Sequence, residues 1–291
     1  MTLPGRIESA ISAATNRPAQ IHHQRQVIGG SINDSRIITL GDGRAYFIKT
    51  HARSGAYPGM FPAEYNALSL LAANGAIRVP APVAVAEDFI VLEAFTAGQR
   101  KPDWAERIGR QLATLHLSTR QSRYGFECDN YLGTTVQPNR WTTDWLSFWR
   151  DRRLGWQLRL YADKSKPDDQ LLRLGEQLLA GLDRILGGVD EPAVLLHGDL
   201  WSGNAAADEL GEPIIYDPAS YFGQREAEIG MMRLFGGFGP RCEAAYAELW
   251  PLPPGSEERI ALYRLYHELN HLNLFGDSYY QSCLATIKSL L

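Results

Sequence analysis

Over the first hundred positions, apolar residues come in short runs that suit strands, with one longer stretch at helical spacing. Residues 35–40 (SRIITL) and 45–50 (AYFIKT) are β-prone and flank Gly41-Asp42-Gly43, a strong hairpin signal. Between residues 61 and 74, Tyr65, Leu68 and Leu71-Ala72 recur with a helical period. Pro62 suits a first helical position there, and Asn74-Gly75 suits a C-terminal cap. Residues 82–86 and 89–95 predict a further strand pair around Glu87-Asp88. The expected product is a small antiparallel sheet with one packed helix.

Past Thr96-Ala97-Gly98 the period changes. Residues 104–118 predict a helix with Ile108, Leu112 and Leu115 on one face, and 141–161 and 168–186 predict two more. Two short apolar strands follow at 193–196 and 213–216, then helices at 225–235, 241–249, 257–275 and 278–291. The pattern is α+β and two-lobed: a β-sheet N-lobe over residues 1–97 and a larger, mostly helical C-lobe over 98–291, joined near 94–98.

Composition narrows the function classes. A chain of 291 residues suits two lobes, and 45% apolar with 21% charged residues excludes wholesale disorder. A net charge of −4 provides no broad basic field, so no nucleic-acid partner is expected. Cys128, Cys242 and Cys283 are odd in number and form no CxxC pair, which fits neither a disulfide framework nor a zinc site. With no apolar segment near the N-terminus and no run of 18 apolar residues, the expectation is a cytoplasmic protein without a membrane partner.

The strongest chemical signal is the run from His197 to Asn204 (HGDLWSGN), fed by an apolar strand. Asp199 and Asn204 stand five apart, and Asp217 follows Asn204 by thirteen. Glu209-Leu210-Gly211-Glu212 between them reads as a turn, so a hairpin would bring Asn204 and Asp217 side by side. Their hard oxygens suit Mg²⁺ carrying phosphate oxygens. A carboxylate near the attacking hydroxyl, with an Asn and a second carboxylate on metal, is what phosphoryl transfer needs. The spacing resembles the kinase pattern H-R-D-x-x-x-x-N followed by D-F-G, with Gly198 in place of the Arg and Pro218 in place of the Phe. Any one of these residues alone is better read as a turn former; three at this spacing outweigh that reading.

Lys49, the charged residue of its apolar strand, is a candidate for binding nucleotide phosphates, with Glu64 on the next helix as its partner. Taken singly, Lys49 reads as a strand-edge lysine and Glu64 as an acid favoured by the helix dipole. Gly29 and Gly30 precede the first hairpin and suit a phosphate-wrapping loop, though a plain turn is as good a reading. On the kinase reading, Glu93, Ala94, Phe95 and Thr96 lie where adenine meets backbone amides. Trp141, Trp145, Phe148 and Trp149 fall at helical spacings, and most of them are assigned to the core. Trp201 and Tyr221, each placed in a loop beside a proposed acid, suit the faces of a sugar, with structural packing as the competing reading of Trp201.

With these residues in hand, the chain resembles the fructosamine kinase (ketosamine-3-kinase) family. The shared text includes LLHGDLWSGN (195–204), IIYDPASYFG (214–223), Gly236-Gly237-Phe238, Gln137-Pro138-Asn139-x-Trp141 with Asp144-Trp145, and LYRLYHELNHLNLFG (262–276). FIKT, the Glu64 helix and VPAP (79–82) extend it into the first lobe. The HGDxxxxN element alone is also found in aminoglycoside phosphotransferases and choline kinases. The resemblance implies a protein-kinase-like fold and ATP-dependent phosphorylation of the 3-hydroxyl of small or protein-bound ketosamines, promoting deglycation. It implies Asp199 as base, Asn204 and Asp217 as Mg²⁺ ligands, Lys49 with Glu64 as phosphate clamp, and residues 93–96 as adenine hinge. The rival readings are a kinase of aminoglycoside or choline type and a nucleotide-binding module without catalysis.

Overall fold

The structure, a computed structural model, describes residues 1–27, 33–51 and 55–291. The chain opens with α1 (Leu3–Thr15), whose first turn is capped by the Thr2 hydroxyl accepting from the Gly5 N–H. Its buried face, Ile7 and Ile11, packs with Ile38, Leu40, Tyr46, Ile48, Phe89 and Val91. The strands β1 (Ile21–Gln26), β2 (Asn33–Leu40) and β3 (Ala45–His51) follow, then α2 (Met60–Asn74), β4 (Pro82–Ala86) and β5 (Phe89–Glu93). They form one antiparallel sheet in the order β1-β2-β3-β5-β4.

Neither α1 nor β1 follows from the apolar pattern. The strand reads IHHQRQ, all but its first residue exposed, so no alternation marks it; the ladder to β2 makes it a strand. The β2–β3 turn forms at Gly41–Gly43 as expected, with the Leu40 N–H on the Arg44 carbonyl at 2.8 Å. Because α2 starts at Met60, Pro62 is its third residue and Glu64 its fifth. Glu64 is thus outside the first turn, and the helix dipole does not account for it.

The second part begins with α3 (Trp104–Ser118) and a small hairpin of β6 (Asn130–Leu132) and β7 (Thr135–Gln137). The helix expected from residue 141 starts later, at α4 (Trp145–Trp149). The cause is a backbone bridge: Tyr124 and Thr142 exchange both N–H···O bonds, which holds residue 142 extended. Trp141 therefore lies outside the helix, beside Phe222 and under the Arg123 guanidinium. A π-helical turn, Arg150–Leu154, leads into α5 (Gly155–Ala162). The next expected helix is two, α6 (Asp169–Ala180) and α7 (Leu182–Leu186), parted at Gly181.

Then come β8 (Val194–Leu196), β9 (Ala205–Ala207), β10 (Pro213–Ile215) and β11 (Tyr221–Gly223), paired as β8 with β11 and β9 with β10. The chain closes with α8 (Glu226–Leu234), α9 (Pro240–Leu249), α10 (Ser256–Phe275) and α11 (Tyr280–Leu290). At Gly230 a Cβ would stand 3.0 Å from the Arg264 nitrogen, so the close approach of α8 to α10 needs glycine.

The chain forms two compact units, Met1–Trp104 with Ala206–Pro218, and Ala105–Ala205 with Ala219–Leu291. The inserted hairpin joins the first through the Ile215 N–H on the Arg78 carbonyl (3.0 Å) and the Gly98 N–H on the Ala207 carbonyl (2.9 Å). Among the described residues no helix is long and apolar enough to cross a membrane.

Candidate active site

In the first unit the site centres on Lys49. It sits in β3, between strands on both sides, opposite Ser35 of β2 and Ile90 of β5. Its side chain is 8% exposed, and Nζ donates to Glu64 Oε1 at 2.6 Å and to Asp217 Oδ1 at 2.7 Å. Burial works against the ammonium charge, but the two carboxylates outweigh it and raise the pKa, so Lys49 remains a cation. Burial pushes the Glu64 carboxyl up, and Lys49 pulls against that shift. Asp217, two residues past β10, is held at φ 59°, a left-handed conformation that costs a non-glycine residue free energy. Its side chain is 46% exposed, so the cluster offers a buried acid and a solvent-facing one to a single cation.

Glu93 ends β5. Its N–H is already bonded to the Ala81 carbonyl, and its carboxylate takes the Arg78 guanidinium and the Ala81 N–H. Adenine recognition by a Glu93 N–H is thereby ruled out. Ala94, Phe95 and Thr96 have left the sheet, and the Phe95 ring stands 5.9 Å from that of Tyr216. Gly29 and Gly30 lie outside the described residues.

In the second unit, β8 delivers the chain to His197 and Asp199. Gly198 has φ 82°, and a Cβ there would meet the Ala219 carbonyl oxygen. No side chain fits, which explains why glycine replaces the arginine of the kinase pattern. Asp199 is partly exposed, whereas Asn204 is buried. The Asn204 amide nitrogen donates to the Asp199 carbonyl at 2.9 Å and to Asp199 Oδ2 at 3.1 Å. Those bonds use its N–H groups and leave its amide oxygen for a ligand. The spacing of five is thus closed physically: Asn204 orients Asp199.

The loop is anchored from below by Glu228 of α8, a residue the motif reading missed. Its carboxylate accepts the N–H groups of His197 (2.5 Å) and Gly198 (3.1 Å), and that of Leu200. Burial raises its pKa to about 7, opposed by these three bonds. The only sign in the sequence is an acid amid the small and apolar residues of Ala227–Met232.

Trp201 folds its ring back over Gly203, where a Cβ would lie 2.2 Å away, and meets Phe235 edge-on at 5.6 Å. It therefore packs on the loop that carries Asp199. Tyr221 is a correction. It lies on a strand, not in a loop, and is 2% exposed, with its ring against Phe148 and under the Arg153 guanidinium at 4.2 Å. The β8–β11 ladder turns its side chain into the core, so it presents no face to a sugar.

No three His, Cys, Asp or Glu side chains cluster as a ready metal site among the described residues. Mg²⁺ needs no such cluster: it takes one or two protein oxygens and completes its shell with phosphate and water. The Asp217 carboxylate and the Asn204 amide oxygen are hard donors of that kind.

The fructosamine kinase family model matches residues 5–291. This chain belongs to the fructosamine kinase family. A protein described as a probable ketoamine kinase of Synechocystis sp. is 37% identical over 98% of this chain and 96% of its own. A chloroplastic protein-ribulosamine 3-kinase of Oryza sativa subsp. japonica is 39% identical over 90% of this chain and 77% of its own. The solved structure of a candidate fructosamine-3-kinase from Haemophilus somnus aligns over 100% of both chains with a TM-score of 0.88 at 28% identity. Choline and aminoglycoside kinases share the protein-kinase-like fold. Fructosamine kinases are ATP-dependent phosphotransferases acting on hydroxyl groups.

Proposed function

We propose that this member of the fructosamine kinase family transfers the γ-phosphoryl group of ATP to the 3-hydroxyl of a ketosamine, whose labile 3-phosphate then favours loss of the sugar from the amine. The observation that carries the phosphoryl chemistry is Lys49, buried and still cationic between Glu64 and Asp217. The names of the relatives, ketoamine kinase and ribulosamine 3-kinase, support the acceptor.

In this reading the hydroxyl oxygen attacks the γ-phosphorus and the bond to the β-phosphate oxygen breaks, so that ADP leaves with the electron pair. The hydroxyl proton passes to Asp199, which Asn204 and the Glu228-anchored loop hold in position. Lys49 binds phosphate oxygen, and Glu64 keeps its ammonium aimed. Asp217 and Asn204 are the proposed oxygen ligands for Mg²⁺, an ion that would neutralise charge on the phosphates when bound. The peptide groups of Ala94 to Thr96 meet the adenine. The Trp201 ring covers the C–H face of the sugar. Cys128, Cys242 and Cys283 are in the thiol form, which suits the reducing cytoplasm.

The test is product analysis. Incubation with ATP, Mg²⁺ and fructosyl-lysine should give a ketosamine whose ³¹P–¹H couplings place phosphate on carbon 3. Asp199→Asn should retain nucleotide affinity and lose turnover by roughly two to four orders of magnitude. Phosphorylation of an aminoglycoside or choline in preference to the ketosamine would overturn the acceptor. Near-normal turnover by a folded Asp199→Asn protein would overturn the base.

A further inference from the structure

Arg78 lies outside every motif, between the buried Ile77 and Val79, yet three carboxylates converge on it. Nη1 donates to Asp208 Oδ2 at 2.5 Å and to Glu209 Oε1 at 3.3 Å, and Nη2 donates to Glu93 Oε1 at 2.8 Å. The other oxygens of the two closer acids are committed elsewhere. Asp208 Oδ1 takes the N–H groups of Leu210 and Glu212, both at 2.9 Å, and so shapes the β9–β10 turn. Glu93 Oε2 takes the Ala81 N–H at 3.1 Å, and so fixes the end of β5. One guanidinium therefore ties a turn-shaping acid to an acid that fixes the start of the hinge.

The backbone makes the same connection. The Arg78 carbonyl accepts from Ile215, two residues before Asp217, in a parallel bridge to β10. The hinge end closes on the hairpin at Gly98, where a Cβ would meet the Asp208 carbonyl oxygen at 2.2 Å. All these groups belong to the unit Met1–Trp104 with Ala206–Pro218. A stabilising ion pair needs one acid. Three acids on one cation leave a surplus of negative charge, an arrangement whose free energy depends on Arg78 staying in place.

We propose that Arg78 is a positioning residue for the nucleotide and its metal, holding the hinge at residues 94–96 and the hairpin that carries Asp217 in one register. This rests on the kinase reading above. Losing the guanidinium frees Glu93 and Asp208 together, so the adenine contacts and the Asp217 carboxylate lose their alignment in one step. The acceptor sugar, handled by the loop of Asp199 and Trp201, is not involved.

The experiment compares wild type with Arg78→Gln and Arg78→Lys. Calorimetry measures a non-hydrolysable ATP analogue over a Mg²⁺ series, and steady-state kinetics varies ATP and fructosyl-lysine separately. Arg78→Gln should weaken nucleotide binding by about tenfold or more, raise the Mg²⁺ needed for half-saturation, and leave the KM for fructosyl-lysine within about twofold. Arg78→Lys should recover part of the loss, because an ammonium cannot span two acids as a planar fork does. If Arg78→Gln does not fold, Glu93→Gln, which removes only the hinge arm, should show the nucleotide defect. Variants that bind nucleotide as wild type does, even if they melt earlier, overturn the positioning role. A wild-type chain that binds no nucleotide in the same titration overturns the kinase reading, and this inference with it.

Discussion

At Lys49 burial and charge pull in opposite directions, and the number of carboxylates decides the outcome. A buried lysine facing one acid is close to break-even; facing both Glu64 and Asp217 it stays charged. Lys49→Met should therefore weaken ATP binding by about 10–100-fold, the value of charge-assisted hydrogen bonds to phosphate. The single variant also strands the Glu64 carboxylate in a buried place and should melt earlier for that reason. Lys49→Met/Glu64→Leu should recover the melting temperature and not the nucleotide affinity. Recovery of both in the double variant would reduce Lys49 to a structural ion pair.

At the scale of elements, α8 and the loop after β8 work as a pair because Glu228 converts a helix side chain into a backbone anchor. It faces His116 at 4.0 Å, but burial pushes that imidazole down to about 3, so it is neutral and offers no counter-charge. An unfolded glutamate titrates at 4.5, whereas Glu228 in place titrates at about 7. Between those values the folded state holds a proton that the unfolded state has released. The stabilisation this gives is lost as pH climbs from 4.5 to 7 and stays lost above. Glu228→Gln removes the titration, so its melting temperature should fall less than that of wild type between about pH 5 and pH 8. The amide also turns a donor toward one of the loop N–H groups. Turnover should drop by about tenfold or more, with nucleotide affinity unchanged. Melting curves that track wild type across the pH series, with normal turnover, would remove Glu228 from the argument.

At the scale of the whole molecule the first unit is discontinuous in sequence: it is complete only with Ala206–Pro218. Those residues supply Asp208 to Arg78, Asp217 to Lys49, and the fully buried Ile214 and Ile215. A fragment of residues 1–104 should therefore fail to give a cooperative unfolding transition, whereas the same fragment with 206–218 joined by a short flexible linker should give one. Cooperative melting of the bare fragment would refute the dependence. Local periodicity and turn chemistry sufficed for β2, β3, α2, β4, α3 and α10, and the family was legible from the text around Asp199 and Asp217, because these signals reside in neighbouring residues. The sequence by itself therefore determined the α+β kinase-like class and named the residues of the candidate site. It did not determine which strand IHHQRQ would pair with, that residue 142 would be bridged and delay α4, or that Tyr221 would turn inward. Nor could it place Asp217 on Lys49 across 168 positions, or gather three acids on Arg78. These were decided by the tertiary structure, since hydrogen-bond ladders and buried charges must find partners wherever the fold brings them, and no local period records that choice.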